Sequence, residues 1–362
     1  MGPRLDMWRY RDALPLLPAD ARPVTLGEGG TPLVPSRLFD DIALYLKDET
    51  RNPTGSHKDR ALSLAATHAR HIGATTMIVV SAGSTGISNA AYATRAGLRG
   101  IAVVSAGVPA ARLAPLRLLG SRIVSVEAPI DRLFGAVDEI ARRVGLYHSS
   151  TMRRVNPVQA NAGRTIAFEI VDALDHAPDL VVMPAGGGGT LAALHAGFAD
   201  LEARGLIARL PRLVAVVPAT YDNLLVGFRA GPAARDGFFD LPLPVGGPTV
   251  LNKIAHDHAP DGPELLDALW ATDGDVKLVT EAEAIAAVSA IGASEGLYVE
   301  PSSAVVWPAL RQLRAEGALT PGMSVVTVLT GSGFRETTTV LDHLPPLSAP
   351  IALEELEQAL GA

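Results

Sequence analysis

The stretch Lys47-Asp48-Glu49-Thr50-Arg51-Asn52-Pro53-Thr54-Gly55-Ser56-His57-Lys58-Asp59-Arg60 joins a predicted strand, Leu44–Lys47, to a predicted helix starting near Ser56 and running through Asp59–His71. Lys58 therefore falls in the first turn of that helix. The helix dipole is positive there, which makes it a poor place for an ordinary lysine. The same field lowers the proton affinity of the amine and favours the free base that a Schiff base needs. A solvent-exposed lysine is the other reading this segment allows.

Outward from this stretch, short apolar runs alternate with helical spacing. Strands are predicted at Leu44–Lys47, Met77–Ser81, Ile101–Ser105, Arg122–Val126, Leu180–Pro184, Leu213–Val217, Val276–Val279 and Val325–Leu329. Helices are predicted at Asp59–His71, Ser88–Ala96, Arg112–Leu119, Asp131–Val144, Gly163–Leu174, Thr190–Ala203, Glu281–Glu295 and Ser302–Ala315. Such alternation predicts mostly parallel sheets covered by helices. About Pro211 to Pro263, Pro and Gly are frequent and periodicity is weak, which predicts a loop-rich region near a site or interface.

At 362 residues the chain is too long for one small core and suits two α/β lobes. With 48% hydrophobic residues it buries a large core, so global disorder is excluded. The net charge is −7 and there is no basic run, so a nucleic-acid partner is not expected. Cysteine is absent, which removes disulfides, thiolate nucleophiles and cysteine-held metals and is compatible with the cytosol. The start, Met1 to Arg9, carries charges where a signal peptide needs an apolar run. Thr75 to Thr94 holds 20 uncharged residues, but Ser, Thr, Gly and Asn recur through it, so a membrane span is not expected.

Three further segments carry chemistry. Ser81-Ala82-Gly83-Ser84-Thr85-Gly86-Ile87-Ser88-Asn89 leads a strand through small residues into a helix, where successive N–H groups can take a carboxylate. Leu180 to Pro184, then Ala185-Gly186-Gly187-Gly188-Gly189-Thr190, forms a phosphate cradle by backbone geometry. A dinucleotide fingerprint over Gly187, Gly189 and Ala192 would need an acid at the end of the next strand, yet Asp200 and Glu202 fall within the helix. In Val325 to Leu329, then Thr330-Gly331-Ser332-Gly333, hydroxyls stand at a strand's carboxyl end, where open α/β sheets bind ligands; Thr330 or Ser332 could bond a ring nitrogen. A plain turn is the alternative for each segment. Together the four supply an amine, a carboxylate nest, a phosphate cradle and a hydroxyl, the contacts that pyridoxal phosphate and an amino acid need.

These residues resemble the fold-type II pyridoxal-phosphate enzymes, a two-lobe fold like the tryptophan synthase β chain, and most closely the threonine synthases. The matching pieces are Gly27 to Leu33, the Lys58 segment, Ser81 to Ser88, Val155-Asn156-Pro157, Arg164 to Ile170, the glycine turn, Glu300 to Ala304 and Leu329 to Gly333. The resemblance implies that Lys58 carries pyridoxal 5'-phosphate as a Schiff base and acts as general acid and base. By the same likeness Gly186, Gly187, Gly188, Gly189 and Thr190 hold its phosphate, and Thr330, with Ser332 as fallback, faces the ring nitrogen. Ser81, Gly83, Ser84 and Thr85 would take the substrate carboxylate.

The chain departs from the family at three places. His57 stands where threonine synthases commonly carry Phe; the resemblance to the tryptophan synthase β chain implies a phosphate contact there, and a filler of the same space is the other reading. Ser84 replaces the Asn that bonds the cofactor's phenolic oxygen. After Asn156-Pro157, Gln159 and Asn161 replace an Arg that helps bind the substrate phosphate and a Glu. A neutral amide binds a phosphate dianion more weakly than a guanidinium does; Arg153 and Arg154, just upstream, could compensate. His256-Asp257-His258 invites a metal reading, but no fourth ligand is near in sequence, so a polar loop at the pocket rim and no metal are expected.

The expected architecture is a smaller lobe over 50–152, a larger lobe over 1–49 and 153–345, and a C-terminal arm over 346–362. The resemblance implies β- or γ-elimination or replacement on an amino acid in a cytoplasmic homodimer, with O-phosphohomoserine to threonine as the default reaction. A serine/threonine dehydratase, or β-replacement on an activated serine in secondary metabolism, is the alternative. A non-catalytic amino-acid-binding homologue is a third reading, against which Lys58 speaks.

Overall fold

The computed structural model describes residues 5–336, 340–341, 343–344, 346 and 350–360. The first four residues of the chain, and parts of the expected C-terminal arm at 347–349 and 361–362, lie outside the described residues. Within the arm, Leu356–Ala359 forms one helical turn.

Ten strands form two sheets. The larger holds β1 (Leu33–Pro35), β2 (Ala43–Asp48), β7 (Leu180–Pro184), β8 (Arg212–Pro218), β9 (Asp275–Val279) and β10 (Ser324–Leu329), in the order β1-β2-β10-β7-β8-β9. Only β1 runs antiparallel, at one edge. The smaller holds β3 (Thr76–Val80), β4 (Arg99–Ser105), β5 (Arg122–Val126) and β6 (Tyr147–His148), all parallel, in the order β5-β4-β3-β6.

The central strands read as unbroken apolar runs because both faces are covered. Successive side chains leave opposite faces. Val181 and Met183 accordingly enter one core with Phe198 and Leu265, while Leu180 and Val182 enter another with Ile291 and Trp307. The helices that cover these faces and the smaller sheet are α1 (Lys58–His71), α2 (Ser84–Ala96), α3 (Ala110–Leu118), α4 (Ile130–Val144), α5 (Arg164–Leu174), α6 (Gly189–Ala203), α7 (Asn223–Ala230), α8 (Gly262–Ala271), α9 (Glu281–Glu295), α10 (Pro301–Ala304) and α11 (Val306–Ala315).

Several elements differ from expectation, β1 and α8 among them, which no predicted strand or helix covers. α2 begins at Ser84, not Ser88: a Cβ on Gly86 would stand 2.2 Å from the Ser81 carbonyl oxygen, so only glycine lets the chain turn this early. The expected single helix over Ser302–Ala315 divides into α10 and α11, because Pro308 has no N–H for the Ala304 carbonyl. β6 escaped notice because two residues carry no period. The region expected to be loop-rich holds α7, which Gly227 allows to pack against the ring of Phe238.

Candidate active site

Four strand ends feed one cleft. β2 leads into the turn before Lys58, β3 into Ser81–Thr85, β7 into Gly186–Thr190 and β10 into Thr330. All are carboxyl ends, where the backbone turns away and opens a crevice. A cavity of about 430 Å³ lies there, lined by His57, Lys58, Ser81, Gly83, Ser84, Thr85, Gly186 to Thr190 and Thr330 from the sequence prediction. Ser332, Asn156, Arg153 and Arg154 are not among its lining residues.

Lys58 opens α1 and is half-buried. Desolvation in the cavity pushes its amine down to about 8, with Asp261 and Glu300 opposing the shift. His57 is held by Thr330, whose carbonyl oxygen accepts its N–H at 3.0 Å and lies 3.1 Å from its Nδ1. Burial, and then the neighbouring Lys58, push that imidazole down to about 3, so it stays neutral.

The turn leaves no room for a side chain at Gly186, Gly188 or Gly189. A Cβ on Gly186 would stand 2.8 Å from the Lys253 carbonyl oxygen, and one on Gly189 would stand 2.3 Å from Asp261 Oδ2. Gly188 has φ +88°, a left-handed conformation that favours glycine. The first-turn N–H groups of α6 have no intrahelical acceptor and lie bare beside this turn, which fits a cofactor phosphate.

Of the two candidates for the ring nitrogen, Thr330 lines the cavity. Ser332 instead uses its hydroxyl oxygen to accept the Phe334 N–H at 3.3 Å. Ser81 Oγ accepts the Gly83 N–H at 3.1 Å and shapes the 81–85 turn. Ser84 Oγ accepts Arg335 Nη2–H at 2.8 Å, a contact between strand-distant segments that sequence spacing does not reveal.

Gln159 is buried outside this cavity. Its Oε1 accepts Asn156 Nδ2–H at 3.3 Å and its Nε2–H reaches the Ser149 carbonyl oxygen at 3.4 Å. With Lys58 and Thr190, which border both spaces, it lines an adjoining cavity of about 30 Å³. Asn156 is likewise buried, and its Nδ2–H also reaches the His148 carbonyl oxygen. Arg153 donates its backbone N–H to Asp261 Oδ1 at 2.8 Å.

Asp261, Glu300, Lys253, His148 and His256 also line the cavity. They come from three separate stretches, at 148, 253–261 and 300, so periodicity could not gather them; Glu300 lies in a segment that carries the family resemblance, and His256 in the loop expected at the pocket rim. Lys253 Nζ donates to Glu300 Oε2 and lies 2.9 Å from Glu336 Oε1. His256 packs near Gly186, whereas His258 bonds the Leu241 carbonyl oxygen and packs on Phe238 and Phe239. The two histidines therefore do not converge.

The family described as pyridoxal-phosphate dependent enzyme matches residues 24–331. The chain is 31% identical over 339 residues to a threonine synthase of Methanocaldococcus jannaschii, covering 92% of this chain and 81% of that one. It is 32% identical over 359 residues to a threonine synthase of Mycobacterium leprae, covering 97% and 94%. Among solved structures, O-ureido-L-serine synthase superposes with a TM-score of 0.71 at 22% identity over 92% of this chain and 96% of the other. Threonine deaminase isoform 2 from Solanum lycopersicum superposes with a TM-score of 0.73 at 17% identity over 95% and 90%; both likenesses speak to fold alone. The chain belongs to the pyridoxal-phosphate-dependent enzyme family, as a threonine-synthase-like lyase of fold type II that uses pyridoxal 5'-phosphate.

Proposed function

We propose that the chain eliminates or replaces a leaving group at the β- or γ-carbon of a small L-amino acid. The observation that carries this reading is the convergence of the Lys58 amine with the 81–85 and 186–190 turns in one cavity. The cofactor, when bound, supplies an aldehyde for a lysine amine and a ring that accepts electrons from the substrate's α-carbon. Gly186 to Thr190 would hold its phosphate, and Thr330 would face its ring nitrogen. A hydroxyl there, unlike a carboxylate, does not enforce a protonated ring, which favours elimination and replacement over transamination. The N–H groups of the 81–85 turn orient the substrate carboxylate. Lys58, with its lowered proton affinity, takes the α-proton and returns a proton later. Burial of the site excludes water from these transfers.

O-phosphohomoserine is the first substrate to test, since relatives over most of the chain are threonine synthases. A second reading, β-replacement on an activated serine, is favoured by Gln159, which sits where the family pattern places an anion-binding arginine and whose amide is occupied by Asn156 and Ser149. Purified holoenzyme is incubated with O-phosphohomoserine while phosphate and threonine are followed together. Release of both establishes the threonine synthase reaction. Absence of both, with the bound-cofactor spectrum intact, removes it in favour of the serine-type substrate. Lys58→Ala must abolish both spectrum and turnover; surviving turnover would overturn the role of Lys58. A cytoplasmic homodimer belongs to the same reading and is checked by light scattering of the purified protein.

A further inference from the structure

We propose that the cavity ends in a subsite at His148 that selects amino acids whose side chain terminates in a neutral hydrogen-bond donor, a hydroxyl or an amide-type N–H. This deepens the function proposed above and rests on it.

The subsite follows from two periodicities. Ile130, Phe134 and Asp138 are spaced four apart on α4 and so form one stripe. Ile130 and Phe134 line the cavity. Asp138, one turn further, places Oδ1 3.5 Å from His148 Nδ1, an ion-pair distance rather than a good hydrogen bond. On the facing side His148 ends β6, the edge strand, in register with Ile78 of β3. Ser150, also in the cavity lining, follows two residues on. At about 3.3 Å per strand residue, His148 lies roughly 7 Å back along the chain from Ser150. Val108 and Met152 add apolar wall.

His148 shares the cavity lining with these apolar residues. His148 is 8% exposed, and neither ring nitrogen has a hydrogen-bond partner among the described residues; Asp138 stands near Nδ1, and nothing polar stands near Nε2. A buried polar nitrogen without a partner is uncommon in native folds and calls for a use. Nδ1 faces Asp138, which favours the proton on Nδ1 and leaves the Nε2 lone pair as an acceptor. Burial keeps the ring neutral, against the pull of Asp138 and with the help of Arg154. Asp138 is itself shared with Arg142 at 3.1 Å.

A neutral acceptor takes a donor and cannot balance a phosphate dianion. Lys253 and Arg112 also line the cavity, but Lys253 is paired with Glu300 and Glu336, and Arg112 lies 3.8 Å from Glu336. The distal end therefore favours a neutral group over a phosphorylated one.

The test uses holoenzyme and the change in cofactor absorption on binding. The probes are L-homoserine and 5-hydroxy-L-norvaline, their methyl-ended isosteres L-norvaline and L-norleucine, and O-phospho-L-homoserine. Wild type should bind at least one hydroxyl-ended probe about tenfold more tightly than its isostere, the factor for one buried hydrogen bond. His148→Leu should erase that preference while leaving the isosteres unchanged, and His148→Gln, which keeps an acceptor, should restore part of it. No preference in wild type, or equal weakening of both members of a pair, overturns the subsite, since a purely structural role would weaken all probes alike. Tightest binding of O-phospho-L-homoserine also overturns it. A wild-type spectrum unmoved by all five probes overturns the amino-acid reading itself, and the subsite with it.

Discussion

Arg60 and Glu169 form a bidentate buried ion pair, Nη1 to Oε1 at 2.6 Å and Nη2 to Oε2 at 2.7 Å. Arg60 lies two residues after Lys58 on α1, and Glu169 lies on α5. Arg60 Nε also donates to Glu49 Oε2 at 2.7 Å, and Lys47 Nζ donates to Glu169 Oε2 at 2.6 Å. Two cations and two carboxylates thus balance out of water and lock the helix that carries Lys58.

Removing one partner strands the others. Arg60→Met leaves Glu49 and Glu169 with Lys47 alone and should cost about 3–5 kcal/mol, the range for a broken buried pair. Denaturant unfolding measures it. A loss below about 1 kcal/mol would mean that the network contributes little.

The same network predicts acid lability. Burial alone would raise Glu169, but Arg60 and then Lys47 outweigh it and hold the carboxyl down to about 2. A carboxyl with a depressed folded-state pKa stabilises above its unfolded value, near 4.5. That contribution should disappear as pH falls from about 4.5 toward 2. Thermal melts across this window should show a steep decline that Glu169→Gln flattens.

Lys58 should capture the cofactor aldehyde as a base with a midpoint near pH 8. Burial lowers the amine, so its free form grows as pH rises through about 8 instead of 10.5. Absorbance-monitored mixing of cofactor-free protein with pyridoxal phosphate gives the rate at each pH. Asp261→Asn removes an opposing carboxylate and should move the midpoint lower; an upward move would contradict the assignment.

Asp261 stands beside the glycine turn, and burial pushes its carboxyl up to about 6. Above that pH its charge repels a phosphate on the turn. Asp261→Asn keeps the acceptor for the Arg153 N–H and should tighten cofactor binding roughly tenfold at pH 8, with the gain shrinking below pH 6. Titration by absorbance decides it. Weaker binding at every pH would mean that the carboxyl serves the site in its charged form.

Much of the site was legible because its parts are local. A strand, a glycine turn and a helix start are written in consecutive residues, as in Leu180 to Thr190 and Lys47 to Arg60. Thr330 and Ser332 were both open from sequence; the fold separates them, because Ser332 turns to cap the Phe334 N–H while Thr330 faces the cavity. Gln159 is visible in the sequence as a departure from the family pattern, but the partners of its amide, Asn156 and Ser149, emerge only from packing.

The sequence by itself determined the alternating α/β architecture, the lysine at a helix start and the glycine-rich turns, since each depends on residues within one turn or one strand. Tertiary structure alone decided which side chains share the cavity. Asp261, Glu300, His148 and the Arg335–Ser84 contact come from segments far apart in the chain, brought together by parallel pairing whose crossovers leave no mark on local periodicity. Charge balance and desolvation, which set the proton affinities of Lys58 and Asp261, exist only once those ends have met.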